Sequence, residues 1–256
     1  MPRPRTVTPE LPSEMGVHAG LSYSLWLPRS TEPHGGVVVL HGAGSSKENH
    51  HDFARAAIGA GLAAIVFDQR GHGESEGVMD GRAIDDVADM AALLRSRIGG
   101  APRSRIGEAP RSRIGGTAAI ALRGSSMGGY LALVSAAAAG AAAVVAICPA
   151  SDEGLRRGLS AGRFTFGADQ PALDRFLAGH HVTAAAGELE IPVLLLHAEG
   201  DEQVPVEHSR ELAALLRSPR SRLITLPGGH HRSIQHDAEM QAVSLRFIAR
   251  ALEPSG

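Results

Sequence analysis

The chain has 256 residues, 43% hydrophobic and 20% charged, so it can bury a sizeable core and is not compositionally disordered. A formal net charge of −2 and a pI near 6.7 leave no global attraction for nucleic acid or an anionic membrane surface. The single cysteine, Cys148, excludes an intrachain disulfide framework, and no run approaches the ~20 apolar residues of a membrane span.

The opening stretch, MPRPRTVTPELPSEMG, is rich in proline and lacks the apolar centre of a secretion signal, so a soluble, cytoplasmic protein is expected. LSYSLWL (21–27) alternates and stops at Pro28, which reads as an early antiparallel strand. GVVVLHG (36–42) and AAIVFDQRG (63–71) are apolar runs that end in glycine-rich turns. Between them, KENHHDFARAAIGAGL has helical spacing, with Phe53, Ala57, Ile58 and Leu62 on one face. AIDDVADMAALLRSRI (83–98) is a strongly amphipathic helix. Buried strands are expected at AAIALRG (118–124), AVVAICP (143–149), PVLLLHAEGD (192–201) and SRLITLPGG (221–229). Helices are expected at MGGYLALVSAAAA, PVEHSRELAALL and HDAEMQAVSLRFIARAL.

Strand and helix alternate, which argues for an α/β fold: a mostly parallel sheet with helices on both faces. In such sheets function gathers at the loops beyond the C-terminal strand ends. Two segments break the rhythm. SRIGGAPR SRIGEAPR SRIGG (96–116) repeats every eight residues, matches no helical heptad and is too short for a solenoid. It reads as an expanded surface loop, since doubling a loop costs only ~0.6 kcal/mol of closure entropy. Residues 152–186 read as irregular, carry Phe164, Phe166 and Phe176, and are expected to form a small cap over a pocket within a single domain spanning 1–256.

LRGSSMGGY holds G-x-S-x-G as Gly124-Ser125-Ser126-Met127-Gly128, between a buried strand and a helix. A sharp strand-to-helix turn exposes the hydroxyl of Ser126, and the helix N-terminus offers N–H groups to developing negative charge. Here the chain resembles the α/β-hydrolase superfamily through most of its length. HGAG (41–44) is similar to the oxyanion loop of that superfamily, and DQRGHGES (68–75) to its turn after the following strand. HAEGDEQVP (197–205) is similar to its acid loop. The resemblance implies that Ser126 is the nucleophile, that Asp201 is the acid, and that the amides of Ala43 and Met127 form the oxyanion hole. Glu199 and Glu202, which flank Asp201, read as solvated loop charges, and Arg70 and His72 as structural. Ser…Asp…His is the chain order of this superfamily.

The closing segment is PGGHHRSIQHD (227–237). The spacing P-G-x-x-H, common in relatives, selects His231 as the base, while a shorter G-x-H spacing would select His230. His236 lies at the start of the last helix and is not expected in catalysis. His50-His51 and His180-His181 lack the i, i+4 spacing of a helical metal site, and no phosphate-cradling glycine motif is present. The expectation is therefore a serine hydrolase that takes a small-molecule acyl substrate, with no metal, cofactor, nucleic acid or membrane partner. Cleavage of a carboxylic ester through an acyl-enzyme is the leading reading. Acyl-peptidase, thioesterase, acyltransferase and non-catalytic ligand-binding readings stay open.

Overall fold

A computed structural model describes residues 9–29, 31–99 and 118–253. Among these, eight strands form one sheet: β1 (Glu14–His18), β2 (Leu21–Trp26), β3 (Gly36–Leu40), β4 (Ala63–Phe67), β5 (Ile120–Ser125), β6 (Ala143–Ile147), β7 (Val193–Ala198) and β8 (Arg222–Leu226). Their order across the sheet is β1-β2-β4-β3-β5-β6-β7-β8. The first two strands are antiparallel to their neighbours, and every later pairing is parallel.

The inner strands β3 to β7 are buried throughout because both faces of the sheet are covered there. Side chains alternate between the faces. Val38, Leu40, Ile65, Leu122, Val144 and Leu195 enter one core, and Val37, Val39, Val66, Val145 and Leu196 the other. The first core is closed by α2 (Ala83–Gly99) and α3 (Met127–Val134), the second by α1 (His51–Gly59) and α8 (Ala238–Leu252). Each fully buried Val, Leu or Ile is worth about 1.5–3 kcal/mol of transfer free energy.

One expectation needs correction, and one strand was not expected. β1 begins in the proline-rich opening stretch. It is an edge strand with mostly exposed side chains, so no buried alternation marks it, and it is held by its backbone ladder to β2. The segment after β6, read as irregular, is largely helical: α4 (Asp152–Ser160), α5 (Gln170–Gly179) and α6 (Val182–Glu188). The side chains of Ser151 and Asp169 accept from the amides of Gly154 and Ala172 and so cap α4 and α5. Those capping residues were the available signal. The chain order closes with α7 (Val206–Leu215) between β7 and β8. Of the tandem repeat, residues 96–99 complete α2, and 100–116 lie outside the described residues.

The loops after β3 and β4 are joined by Lys47, the only lysine. Its buried ammonium lies 2.8 Å from Asp68 Oδ2, 2.7 Å from Glu74 Oε2 and 2.9 Å from Glu48 Oε1. Asp68 also accepts from the amides of Lys47 (2.7 Å) and Glu74 (3.0 Å). Lys47→Met would leave the Asp68 carboxylate buried beside no cation. We expect a loss of ~3–5 kcal/mol, read as a lower urea midpoint with an unchanged slope. A variant as stable as the parent would refute the strut.

Candidate active site

β5 passes into α3 through one residue, Ser126, whose backbone sits at φ 54°, ψ −120°. A left-handed conformation costs a non-glycine residue on the order of 1–3 kcal/mol and persists only where its surroundings enforce it. The Ser126 amide donates to Ile147 O (2.9 Å), and its carbonyl accepts from the amides of Tyr130 (3.0 Å) and Ala150 (3.1 Å). Room for the turn comes from bare glycines. A Cβ on Gly124 would lie 2.0 Å from Gly128 O, and one on Gly128 would lie 2.3 Å from Leu40 O.

The loop after β3 reaches the same point. A Cβ on Gly42 would stand 3.3 Å from Ser126 Cβ and 3.9 Å from its Oγ. Ala43 follows Gly42 and Met127 follows Ser126, so both amides singled out by the sequence belong to the segments that meet at this hydroxyl. Met127 opens α3, and its N–H has no acceptor within the helix.

Two buried histidines shape that loop. The His41 Nδ1–H donates to Gly42 O (2.8 Å), while Nε2 accepts from the Gln69 amide (3.0 Å). Gln69 Nε2 returns a bond to His41 O at 2.6 Å. His72 Nε2 accepts from the Gly44 amide (3.2 Å), and its Nδ1–H donates to Arg70 O (3.1 Å). Burial, with nearby His72 adding to it, pushes the His41 imidazole down to about 4. Arg70 pairs with Asp86 at 2.9 Å. Arg70 and His72 thus hold the loops, as the sequence suggested.

The acid and base candidates meet beyond β7 and β8. The His231 Nδ1–H donates to Asp201 Oδ2 at 2.7 Å, with both side chains almost wholly buried. Asp201 Oδ1 accepts from the amides of Gln203 (2.8 Å) and Val204 (2.9 Å). Burial pushes the Asp201 carboxyl up, but the hydrogen bonds from His197, His231, Val204 and Gln203 outweigh it and hold it far below the usual carboxylate range. The two loops are stitched directly, since the Gly200 amide donates to Gly228 O at 2.9 Å. His230 is exposed, and its Nδ1 accepts from the Arg232 amide (3.3 Å), away from Asp201. His236 pairs with Asp52 at 3.0 Å. Glu199 reaches Arg210 (3.4 Å), and Glu202 takes a long 3.4 Å bond from the His231 amide.

Sequence reasoning missed three groups. Gln235 fastens the loop after His231 to the sheet: its carbonyl accepts from Arg123 Nη2 (3.1 Å), and its Oε1 accepts from Ser125 Oγ (2.9 Å). His197 lies fully buried with Nε2 at 2.9 Å from Val204 O and 3.5 Å from Asp201 Oδ2. Cys148, at the end of β6, has φ 42° and a buried thiol against Asp201. Burial pushes that thiol well up, so it is no nucleophile. Only its place in the folded sheet reveals the contact.

Beside the Ser126 turn lies a small apolar pocket, lined by Met127, Tyr130, Leu155, Phe164, Phe166 and Phe176 among others. Every side chain around it is apolar or aromatic. The Tyr130 hydroxyl donates away from it, to His180 O at 2.7 Å. Among the described residues no helix is long and apolar enough to cross a membrane.

Comparison with known proteins agrees with this architecture. The family model described as serine aminopeptidase, S33, matches residues 31–165, and that of the prolyl oligopeptidase family matches residues 112–255. The uncharacterized protein YfhR of Escherichia coli O157:H7 is 25% identical over 247 residues, covering 90% of this chain and 76% of that protein. Among solved structures, the monoacylglycerol lipase of Paleococcus ferrophilus aligns with a TM-score of 0.64 at 20% identity, covering 92% of this chain and 99% of the other. Est1E of Butyrivibrio proteoclasticus, bound to ferulic acid, aligns with a TM-score of 0.64 at 18% identity, covering 94% and 98%. The structural likenesses speak for the fold.

The histidine clamps have a consequence for acid stability. The folded His41 pKa is depressed to about 4 and that of His50, also by burial, to about 3. The unfolded chain therefore binds protons from about pH 6.5 downward while the native state does not, so stability is present above that pH and falls as pH drops towards 4. Each group removes on the order of 3 kcal/mol over this window. Urea unfolding at pH 7.5 and 4.5 should show the loss; equal midpoints would contradict it.

Proposed function

This chain belongs to the α/β-hydrolase superfamily of serine hydrolases, and we propose that it cleaves carboxylic esters through an acyl-enzyme formed on Ser126. One observation carries the reading: the 2.7 Å contact from His231 Nδ1–H to Asp201 Oδ2. That contact selects the tautomer whose Nε2 is free to take a proton. Ser126 Oγ attacks the ester carbonyl as His231 Nε2 removes its proton. The amides of Ala43 and Met127 stabilise the tetrahedral oxyanion, a contribution typically worth ~10²–10³ in rate. His231 then returns the proton to the leaving alcohol. Water, deprotonated by the same imidazole, releases the acid. Asp201 orients the ring and stabilises the imidazolium without itself taking the proton.

The enforced turn at Ser126 supports this reading, because it holds the serine side chain against the Gly42 loop. The apolar pocket supports a substrate class. Its lining carries no charged side chain, which favours an apolar or aromatic acyl group over the charged amino terminus of a peptide. The helices α4 and α5 supply Leu155, Phe164 and Phe176 beside or within them, and we assign them the role of a small cap. The fold's likeness to a monoacylglycerol lipase agrees with an ester substrate.

Three measurements test the proposal. Ser126→Ala should lower p-nitrophenyl ester hydrolysis by ~10⁴–10⁶-fold and abolish labelling by a fluorophosphonate probe; full activity would overturn it. His231→Ala should cause a loss of similar size, whereas His230→Ala should stay within a few-fold of the parent. The opposite order would move the base to His230. Phe176→Ala should shift the best p-nitrophenyl ester towards longer chains, raising kcat/KM for them by ~10-fold, since one or two methylenes are worth about 1–3 kcal/mol. An unchanged chain-length profile would place the acyl group elsewhere.

A further inference from the structure

The C-terminal ends of three neighbouring parallel strands bring together a thiol, a carboxylate and an imidazole. Cys148 follows β6, Asp201 follows β7 and His231 follows β8. Ligand atoms from the three residues all lie within 4.8 Å of one another. Among the described residues the other comparable cluster, Glu48, Asp68 and Glu74, already encloses the Lys47 ammonium. The cluster at Cys148 encloses no cationic side chain of that kind.

We propose that Cys148, Asp201 and His231 form an inhibitory site for a thiophilic divalent cation, Zn²⁺ in the first instance. The inhibition, though not the binding, rests on the assignment of Asp201 and His231 to the triad. The chemistry of the donors is that of a zinc site: sulfur, nitrogen and carboxylate oxygen, bound at about 2.3, 2.0 and 2.1 Å in tetrahedral geometry. Those bond lengths put neighbouring ligands about 3.3–3.7 Å apart. The three atoms therefore need to close by only about 1 Å around one ion, within reach of the loop that carries His231 between Gly229 and the Gln235 anchor. A hard cation such as Mg²⁺ has no use for the sulfur, and thiolate with imidazole selects Zn²⁺ or Cd²⁺.

The proton balance is explicit. In the metal-free chain the thiol is protonated, and an N–H of His231 bridges to Asp201. The cation replaces both: sulfur and Nδ1 become ligands, the thiol proton leaves to the buffer, the imidazole proton passes from Nδ1 to Nε2, and Asp201 neutralises charge on the ion. Burial keeps the thiol protonated in the absence of metal but does not bar coordination, because a metal-bound thiol is deprotonated outright. Once bound, His231 can no longer be oriented by Asp201 or carry a positive charge, and the base is lost. Cys148 takes no part in the reaction itself.

Two readouts on the purified full chain test this. The first is binding: titration with Cd²⁺ should give a thiolate-to-metal charge-transfer band in the ultraviolet that saturates at one ion per chain. It should persist in Ser126→Ala and vanish in Cys148→Ser. The second is activity: Zn²⁺ should inhibit ester hydrolysis, and EDTA should restore it. Cys148→Ser should keep turnover within a few-fold of the parent and resist Zn²⁺ by at least ~100-fold, since even outer-sphere changes cost a metal site 10–100-fold. Should Cys148→Ser fail to fold, His231→Ala must weaken the Cd²⁺ band by a similar factor. Absence of the band, or equal Zn²⁺ sensitivity in parent and Cys148→Ser, overturns the site and assigns inhibition to surface histidines. If Ser126→Ala keeps its activity, the triad assignment fails while the band still decides the metal site.

Discussion

The site depends on how closely a helix start can press against two strand ends. The first turn of α3 packs on the last residue of β3 and on Gly124 of β5 so tightly that any side chain at Gly124 or Gly128 would collide with backbone. Backbone atoms cannot move aside as a flexible side chain can. The close approach is therefore possible only with glycine at both positions, and Ser126 has no other conformation through which to connect strand to helix. The strained serine, the neighbouring Gly42 peptide and the open amide of Met127 are three results of this one packing constraint.

Around this fixed point, the mobile parts are held by hydrogen bonds rather than by apolar packing. Histidine serves as a scaffold here more often than as a reagent. His41 and His72 each use one nitrogen as donor and the other as acceptor to set the loop after β3. Such a role requires the neutral ring, and burial enforces it. On the other side, Arg123 is fully buried, lies 3.9 Å over the Phe53 ring and gives one hydrogen bond to the carbonyl of Gln235. Because Gln235 also takes the hydroxyl of Ser125, the loop bearing His231 is pinned to the residue preceding Ser126. Nucleophile and base candidates are thus referenced to the same strand.

The candidate acid is similarly over-determined. Asp201 is buried, yet two backbone amides and two imidazoles approach it, with the Cys148 thiol close by. A carboxylate so supplied with donors stays ionised and stays put, as a residue orienting an imidazole must. The same convergence gathers sulfur, nitrogen and oxygen ligands in one place. If Asp201 and His231 act as proposed, the donors that would stabilise a transient positive charge on imidazole are also those proposed to hold a metal ion.

The parallel strands, the helices between them and the G-x-S-x-G turn were legible in the sequence because each is encoded locally, in apolar runs, amphipathic spacing and glycine placement. Asp201 and His231 were singled out through loop motifs and their order. β1 was not legible, because an exposed edge strand leaves no alternation to read, and α4 to α6 were hidden by short length despite the capping residues of α4 and α5. Gln235, His197 and the approach of Cys148 to Asp201 had no sequence signal at all. Gln235 and Cys148 meet residues tens of positions away through the register of β5, β6, β7 and β8, while His197 meets Asp201 four residues on through the fold of one loop. The same holds for His230 and His231: adjacent residues point in different directions, and the stitch from Gly200 to Gly228 turned His231 to the buried acid and left its neighbour in solvent.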